Sequence, residues 1–160
     1  MFSGIKKLIN KSQPEQLHGV RLYFSEDGVI VAALFANLSG IYFEQPNAQF
    51  IPREVDAVKL GEAFKEAFEN FAINDVNLRD QKKRDWPAFQ ASGLKTLKEF
   101  ELSHRVASCF SLNSSNSIVR ASVVHPKHAD IEISVSFNPL LPAAKIGEDL
   151  ILLSQLAQAS

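Results

Sequence analysis

The side chains best suited to metal binding or nucleophilic catalysis in this chain are histidines and a single cysteine. His125 and His128 are three residues apart, a spacing that zinc can use, but Pro126 indicates a strand reversal and no cysteine or acidic cluster lies nearby. Cys109 and His104 could supply a thiol nucleophile and its base. Residues five apart on one extended strand point to opposite faces, so this pair cannot meet locally. We therefore predict no metal site and no catalytic site, and a buried structural role for Cys109.

Charged residues offer two further candidates for chemistry. Glu62 and Glu148 could act as matched acid and base carboxylates, but both occupy outward positions of amphipathic helices, where a solvated face is the usual role. The basic run 82–84 could contact phosphates, but Asp80 and Asp85 flank it, which is typical of a solvated loop. These patterns predict a protein without enzymatic activity and without a cofactor. A small enzyme whose site carries no recognisable motif stays open as an alternative.

Length, charge and cysteine content favour a single soluble domain, residues 1–160, in a reducing compartment. With 46% apolar and 22% charged residues, the chain can form one ordinary core. Its net charge of −1 disfavours a nucleic-acid partner, which selects for clustered lysine and arginine. One cysteine permits no internal disulfide, and no apolar stretch approaches the roughly 20 residues of a membrane span. We therefore expect a cytoplasmic protein.

The first eleven residues have the pattern of a short basic amphipathic helix. Apolar residues recur at near-helical spacing, and lysines lie on the other faces: Phe2, Ile5, Leu8 and Ile9 against Lys6, Lys7 and Lys11. We predict a terminal helix packed on the domain. A membrane-surface anchor is the alternative, but the apolar side is only about two turns long.

An internal repeat organises the rest of the chain. Segment 57–62 (AVKLGE) returns as 143–148 (AAKIGE), 86 residues later. At the same offset three residues of a strand region return: His18, Val20 and Phe24 as His104, Val106 and Phe110. Each copy predicts strands followed by one amphipathic helix, with a glycine, Gly61 or Gly147, where the helix packs closely on the sheet. We predict repeat one at about residues 18–72, a helical connector at about 75–102 and repeat two at about 103–158.

Repeat one begins with a hairpin and ends with a helix. Hydrophobic residues alternate along its first strand, and Asp27-Gly28 is a favoured pair for a tight turn. The run 29–36 is apolar on both alternations, which predicts a central strand covered on both faces. Asp56 is the predicted N-cap of a helix over about 57–71. The core-facing stripe of this helix is Leu60, Phe64, Ala67, Phe68 and Phe71.

The connector and repeat two supply the remaining elements. Trp86-Pro87 predicts the start of one connector helix, and Gly93 predicts its end. Thr96 is positioned to cap a second helix that buries Leu97 and Phe100. Repeat two contributes three strands and a closing helix, at 105–112, 117–124, 130–137 and 144–157.

Together these elements predict an α+β fold. Its sheet is mainly antiparallel and twisted, and it is built from two diverged strand-strand-strand-helix repeats. The two repeat helices pack on the sheet, and the connector helices cover another part of it. The predicted core contains Val20, Leu22, Phe24, Phe64, Phe68, Val106, Ile133, Val135, Leu150 and Leu153.

Three short motifs follow one another in a recognisable order. They are Phe50-Ile51-Pro52, then Ala57-x-Lys59-Leu60-Gly61-Glu62-Ala63-Phe64, then Trp86-x-x-Phe89-x-x-x-Gly93-Leu94-Lys95-Thr96-x-x-x-Phe100-Glu101. With the second strand set and helix, this order resembles immunity proteins of bacterial contact-dependent growth inhibition systems over residues 18–157. The resemblance implies a small cytoplasmic protein that binds the toxin domain of its own strain's effector, often a nuclease, in a one-to-one complex. It carries over no binding residue, because such families vary their contact surface.

Five strand residues are the predicted toxin-binding surface: Tyr23, Tyr42, Glu44, Asp130 and Glu132. We expect them to be half-exposed and to share one sheet face, since each alternates with an apolar set that needs the helices. Tyrosine is favoured at protein interfaces, and acids steer a complementary partner. A purely solvated face, or coverage of these positions by the connector, is the open alternative. The acidic helix face from Glu62 to Glu69 is the next candidate, and self-association through the sheet is a third possible role for the chain.

Overall fold

The fold of residues 18–54, 56–75, 86–122 and 131–158, which this computed structural model describes, is α+β. Its strands are β1 (Gly19–Phe24), β2 (Gly28–Ala36), β3 (Tyr42–Glu44), β4 (Gln49–Pro52), β5 (Ala72–Ile73), β6 (Arg105–Asn113), β7 (Asn116–Ser122) and β8 (Glu132–Phe137). Its helices are α1 (Ala57–Glu69), α2 (Pro87–Ser92), α3 (Leu97–Ser103) and α4 (Ala143–Gln158). The predicted N-terminal helix, the charged run, the paired histidines and Asp130 lie outside the described residues.

The strands form one twisted sheet in the order β3-β2-β1-β6-β7-β8, and all neighbours along this path are antiparallel. β4 adds a further antiparallel pair with β2, and the short β5 pairs with β2 in parallel. The first strands of the two repeats, β1 and β6, meet side by side at the centre of the sheet. The predicted mainly antiparallel α+β architecture is confirmed.

Helices α1 and α4 cover one face of the sheet, which we call the helix face. Alternate residues of the strands point into this core because successive side chains of a strand lie on opposite faces. Most of the predicted core is confirmed, since Val20, Leu22, Phe24, Phe64, Leu150 and Leu153 are fully buried there. Phe68, Ile133 and Val135 are partly buried against the same core.

Val106 was predicted to lie in the core, and that prediction is wrong. Val106 pairs with Tyr23 across the central strands, whereas Val20 pairs with Cys109. Directly opposed residues share a face, and positions 20 and 23 have opposite orientations, so Val106 points away from the helix face. It is 42% exposed. The 86-residue offset therefore relates the repeats in sequence without preserving which face a strand residue occupies.

The two repeat helices touch each other directly through their glycines. A Cβ added to Gly61 would lie 1.8 Å from the carbonyl oxygen of Ala143, and one added to Gly147 would lie 1.8 Å from that of Ala57. All four residues belong to the repeated segment, so the contact is reciprocal. The glycines thus mark close packing of helix on helix, rather than the helix-on-sheet packing that we predicted.

The helix ends agree with the sequence signals. Asp56 caps α1 by accepting from the backbone N–H of Val58 at 3.0 Å. Gly93 ends α2 in the left-handed conformation, with φ of 68°. Thr96 caps α3 in a reciprocal capping box with Glu99. Leu97, predicted to be buried by α3, is instead 43% exposed because that helix turns Phe100 towards the sheet. None of the helices within the described ranges is long and apolar enough to cross a membrane.

Candidate partner-binding surface

The connector helices α2 and α3 pack on the opposite side of the sheet, which we call the connector face, above β1 and β2. They bury a separate core, whose centre is Tyr23, Ile30, Ala88 and Phe100. The ring of Phe100 has its centroid 5.3 Å from that of Tyr23 and 5.1 Å from that of Trp86. Such tilted and edge-on aromatic pairs are favourable beyond the area they bury. This part of the connector face is the covered half.

The carboxylate of Glu44 attaches the connector to the sheet. It accepts from the hydroxyl of Tyr23, from Nε1 of Trp86 at 3.1 Å and from the backbone N–H of Ala88 at 3.0 Å. Three donors from two separate segments therefore converge on one side chain. Burial, followed by the nearby charge of Glu44, raises the pKa of Tyr23 well above its usual value, so Tyr23 stays a neutral donor.

The predicted binding residues share one sheet face, but they divide between different environments. Tyr23, expected to be half-exposed, is only 1% exposed, and this part of the prediction is wrong because the connector covers it. Glu44 is half-buried and already bonded within the chain. Tyr42 is half-buried between Phe71 and Phe110. Glu132 is exposed. Partner binding by these residues stays a prediction.

The rest of the connector face, above β6, β7 and β8 and the adjoining Arg21 of β1, carries no helix among the described elements. We call it the open half. The strand registers place on it Arg21, Val106, Ser108, Phe110, Ile118, Arg120, Glu132, Ser134 and Ser136. Nε of Arg120 lies 3.4 Å from a carboxylate oxygen of Glu132, and both side chains are more than half exposed. Such an exposed pair contributes little to stability and can rearrange readily.

Arg21 lies where the covered and open halves meet, and sequence reasoning missed it. The residue is half-buried, and its Nε is fully buried without a hydrogen-bond partner. It forms no ion pair with any residue in the described part of the chain. The available signal was a lone arginine between the core positions Val20 and Leu22 of a central strand. A charge in that position is rare unless something pairs with it.

A cleft of about 680 Å³ opens at the end of the sheet where β1 turns into β2. His104, Arg53, Arg105 and Asp27 line it, together with the last turn of α4. Burial lowers the pKa of His104, while the carbonyl of Phe100 and the charge of Asp27 oppose that shift. The cleft therefore mixes cations and carboxylates and presents no single sign of charge.

Ser103 and His104 are the nearest approach to a catalytic pair. Oγ of Ser103 is 2.9 Å from Nδ1 of His104, but the hydroxyl also lies 2.7 Å from the carbonyl oxygen of Glu99, to which it donates. The pair thus satisfies the end of α3, where carbonyls lack helical partners. Cys109 is buried on the helix face, and burial raises its pKa, so its thiol stays protonated. Within the described ranges, no cluster of three or more His, Cys, Asp or Glu residues could hold a metal.

Comparison with known proteins finds no matching family model and no matching curated protein. Among solved structures, the chain is similar to NMB0488, a protein of unknown function from Neisseria meningitidis. The TM-score is 0.68 at 18% identity, covering 91% of this chain and 95% of that one. It is also similar to a chain of the CdiA-CT/CdiI toxin and immunity complex from Yersinia pseudotuberculosis. There the TM-score is 0.60 at 13% identity, covering 86% of this chain and 95% of that one. At such identities the likeness shows a shared fold.

Proposed function

We propose that this protein is an immunity protein that binds and neutralises the cognate toxin domain of a contact-dependent growth inhibition effector. The observation that carries the proposal is the fold shared with a chain of a toxin and immunity complex over 86% of this chain. The order of sequence motifs from residue 18 to residue 157 points independently to the same class. The protein acts by stoichiometric binding, without catalysis, as a monomer in a one-to-one complex in the cytoplasm.

The architecture suits an inhibitor that works by surface complementarity. Each face of the sheet has its own packed core, and Glu44 fixes the connector to the strands through three hydrogen bonds. A preformed surface loses little conformational entropy when a partner binds. The open half offers polar and apolar side chains on such a rigid support.

The toxin is proposed to be a nuclease, because immunity proteins of the class that the sequence resembles often oppose nucleases. Inhibitors of basic nucleases are often strongly acidic, and this chain departs from that pattern with its net charge of −1. Recognition would then depend on local complementarity rather than on a broad acidic field. Assaying the purified toxin on RNA and on DNA, with and without equimolar protein, tests this point.

A co-expression experiment tests the proposed function. Toxin domains from the contact-dependent inhibition loci of the source genome are each induced in a bacterial expression host, together with this chain or with an immunity protein for an unrelated toxin. We expect this chain to restore growth against one domain and to form a one-to-one complex with it by light scattering. Growth arrest with every toxin domain would overturn the proposal. Concentration-dependent oligomers of the chain alone would favour self-association instead.

A further inference from the structure

We infer that the open half is the docking surface for an acidic segment of the partner protein, with Arg21 receiving a partner carboxylate. The inference rests on the proposed function for the identity of the partner. Its physical basis is a positive charge that the described part of the chain does not neutralise, set on a rigid sheet beside exposed polar and apolar side chains.

Arg21 is a partly buried cation whose Nε finds no hydrogen-bond acceptor among the described residues. A half-buried guanidinium loses part of its hydration, and hydrogen bonds or an opposite charge normally compensate that loss. Nε of Arg21 is buried without a hydrogen-bond partner among the described residues. Glu44, a carboxylate on the same sheet face, already accepts from three other donors. A carboxylate from outside would supply the missing acceptor, and arginine is the side chain whose planar fork fits a carboxylate best.

The strand register extends this site across the open half. Arg21 pairs with Ser108, Ser108 pairs with Arg120, and Arg120 pairs with Ser134. Neighbouring strands are about 4.8 Å apart, so the two arginines lie roughly 10 Å from each other with a serine between them. Among the described residues, Arg120 has one ion-pair partner, the exposed Glu132, which a second partner carboxylate can replace.

The surroundings favour a protein carboxylate over other anions. Val106, on one side of the row that contains Arg21 and Arg120, is 42% exposed. Ile118 and Phe110, on the other side of that row, are half-buried. Interfaces between proteins combine such apolar contacts with a few charges, whereas nucleic acids and anionic membranes select dense basic patches. Glu132 at the edge of the open half further disfavours phosphate-rich partners.

The chain's own N-terminal segment is the other obvious occupant, and charge argues against it. Residues 1–17 contain Lys6, Lys7 and Lys11 but only one acid, Glu15. A basic segment would meet Arg21 and Arg120 with like charge, which costs free energy. An acidic partner has the complementary sign.

The test compares Arg21→Gln, Arg21→Lys and Arg53→Gln with the parent. Arg53→Gln is the matched control because it removes an arginine from the cleft. Each full-length variant is titrated calorimetrically with the toxin domain that the parent neutralises, at about 50 mM and about 300 mM salt. We expect Arg21→Gln to weaken binding by about tenfold or more at low salt, Arg21→Lys to restore part of the loss, and Arg53→Gln to stay within about twofold.

A folding control separates binding from structure. Because Nε of Arg21 has no hydrogen-bond partner within the described ranges, Arg21→Gln should unfold at the same denaturant concentration as the parent or a higher one. Unchanged toxin affinity in a folded Arg21→Gln variant would overturn the inference and leave the proposed function intact.

A second probe is independent of the toxin. Poly-L-glutamate and poly-L-lysine are each added to the labelled protein, and the Arg21 Nε signal is followed by NMR. We expect a shift with poly-L-glutamate alone. If the parent protein shows this shift but binds none of the toxin domains, the site for an acidic segment is supported and the proposed function is overturned. No shift with poly-L-glutamate, or equal binding to phosphatidylglycerol vesicles through Arg21, would overturn the inference.

Discussion

The covered half and the open half of the connector face start from the same strand alternation and end in different roles. In the covered half, Tyr23 is buried, aromatic rings pack around Phe100, and Glu44 accepts hydrogen bonds from three donors. In the open half, Val106 is exposed and the buried Nε of Arg21 has no hydrogen-bond partner among the described residues. The difference teaches that the connector, rather than the strands, decides which part of this face is structural. The open half, which no described helix covers, is the surface that we propose for partner binding.

The largest expected effect comes from removing the centre of the covered half. Phe100→Ala deletes a fully buried ring that contacts Tyr23, Trp86 and Phe89, so it should lower the free energy of unfolding by about 3 to 5 kcal/mol. Guanidinium unfolding followed by circular dichroism measures the loss. Leu102→Ala, on the exposed side of the same helix, is the control and should change stability by less than about 0.5 kcal/mol. Equal losses would mean that α3 does not bury Phe100.

The next effect concerns the attachment of the connector by Glu44. Glu44→Ala leaves the Tyr23 hydroxyl, Trp86 Nε1 and the Ala88 N–H without their shared acceptor, and should cost about 1 to 3 kcal/mol. Trp86 is the only tryptophan, so its fluorescence should shift to the red as the connector loosens. Glu132→Ala, which breaks only an exposed ion pair, should leave both the emission and the stability nearly unchanged. An unshifted Glu44→Ala spectrum would contradict the role given to this carboxylate.

A smaller effect is the response of the covered half to pH. His104 stacks on Phe100, and burial lowers its folded pKa below the value near 6.5 expected in the unfolded chain. Between these two pKa values the unfolded chain binds more protons, so stability is complete above about pH 6.5 and declines as the pH falls towards the folded pKa. Denaturant midpoints at about pH 7.5 and about pH 5.5 measure the decline. His104→Phe should flatten it, and the same slope in both proteins would assign the effect to other groups.

Much of this architecture could be predicted from local signals. Asp56, Gly93 and Thr96 predicted helix ends correctly because capping depends on neighbouring residues. The run 29–36, which is apolar on both faces of a strand, predicted the central strand correctly. For Tyr23 the sequence left two alternatives open, exposure or coverage by the connector, because the choice depends on where a segment distant in sequence packs; the structure shows coverage. The prediction that Val106 is buried was wrong because the face of a strand residue follows from the pairing register, which a repeat offset does not specify.

The candidate surface was predictable only in outline. The register places Tyr23, Tyr42, Glu44 and Glu132 on the face that alternation indicated. Which of them is free to bind depends on hydrogen bonds between separate segments, as at Glu44. The role of Arg21 depends on the absence of an acceptor among the described residues, which no sequence pattern reports.

Site-specific thiol labelling with the neutralised toxin tests most directly whether the open half binds the partner. Native Cys109 is buried and stays unreactive in the folded protein, so all the measured labelling comes from the introduced cysteine. Ser134→Cys places the thiol on the exposed open half, and Glu62→Cys places it on the exposed side of α1. We predict that saturating toxin slows maleimide labelling of Ser134→Cys by about tenfold or more and leaves Glu62→Cys within about twofold. Slowed labelling of Glu62→Cys with Ser134→Cys unaffected would contradict the account.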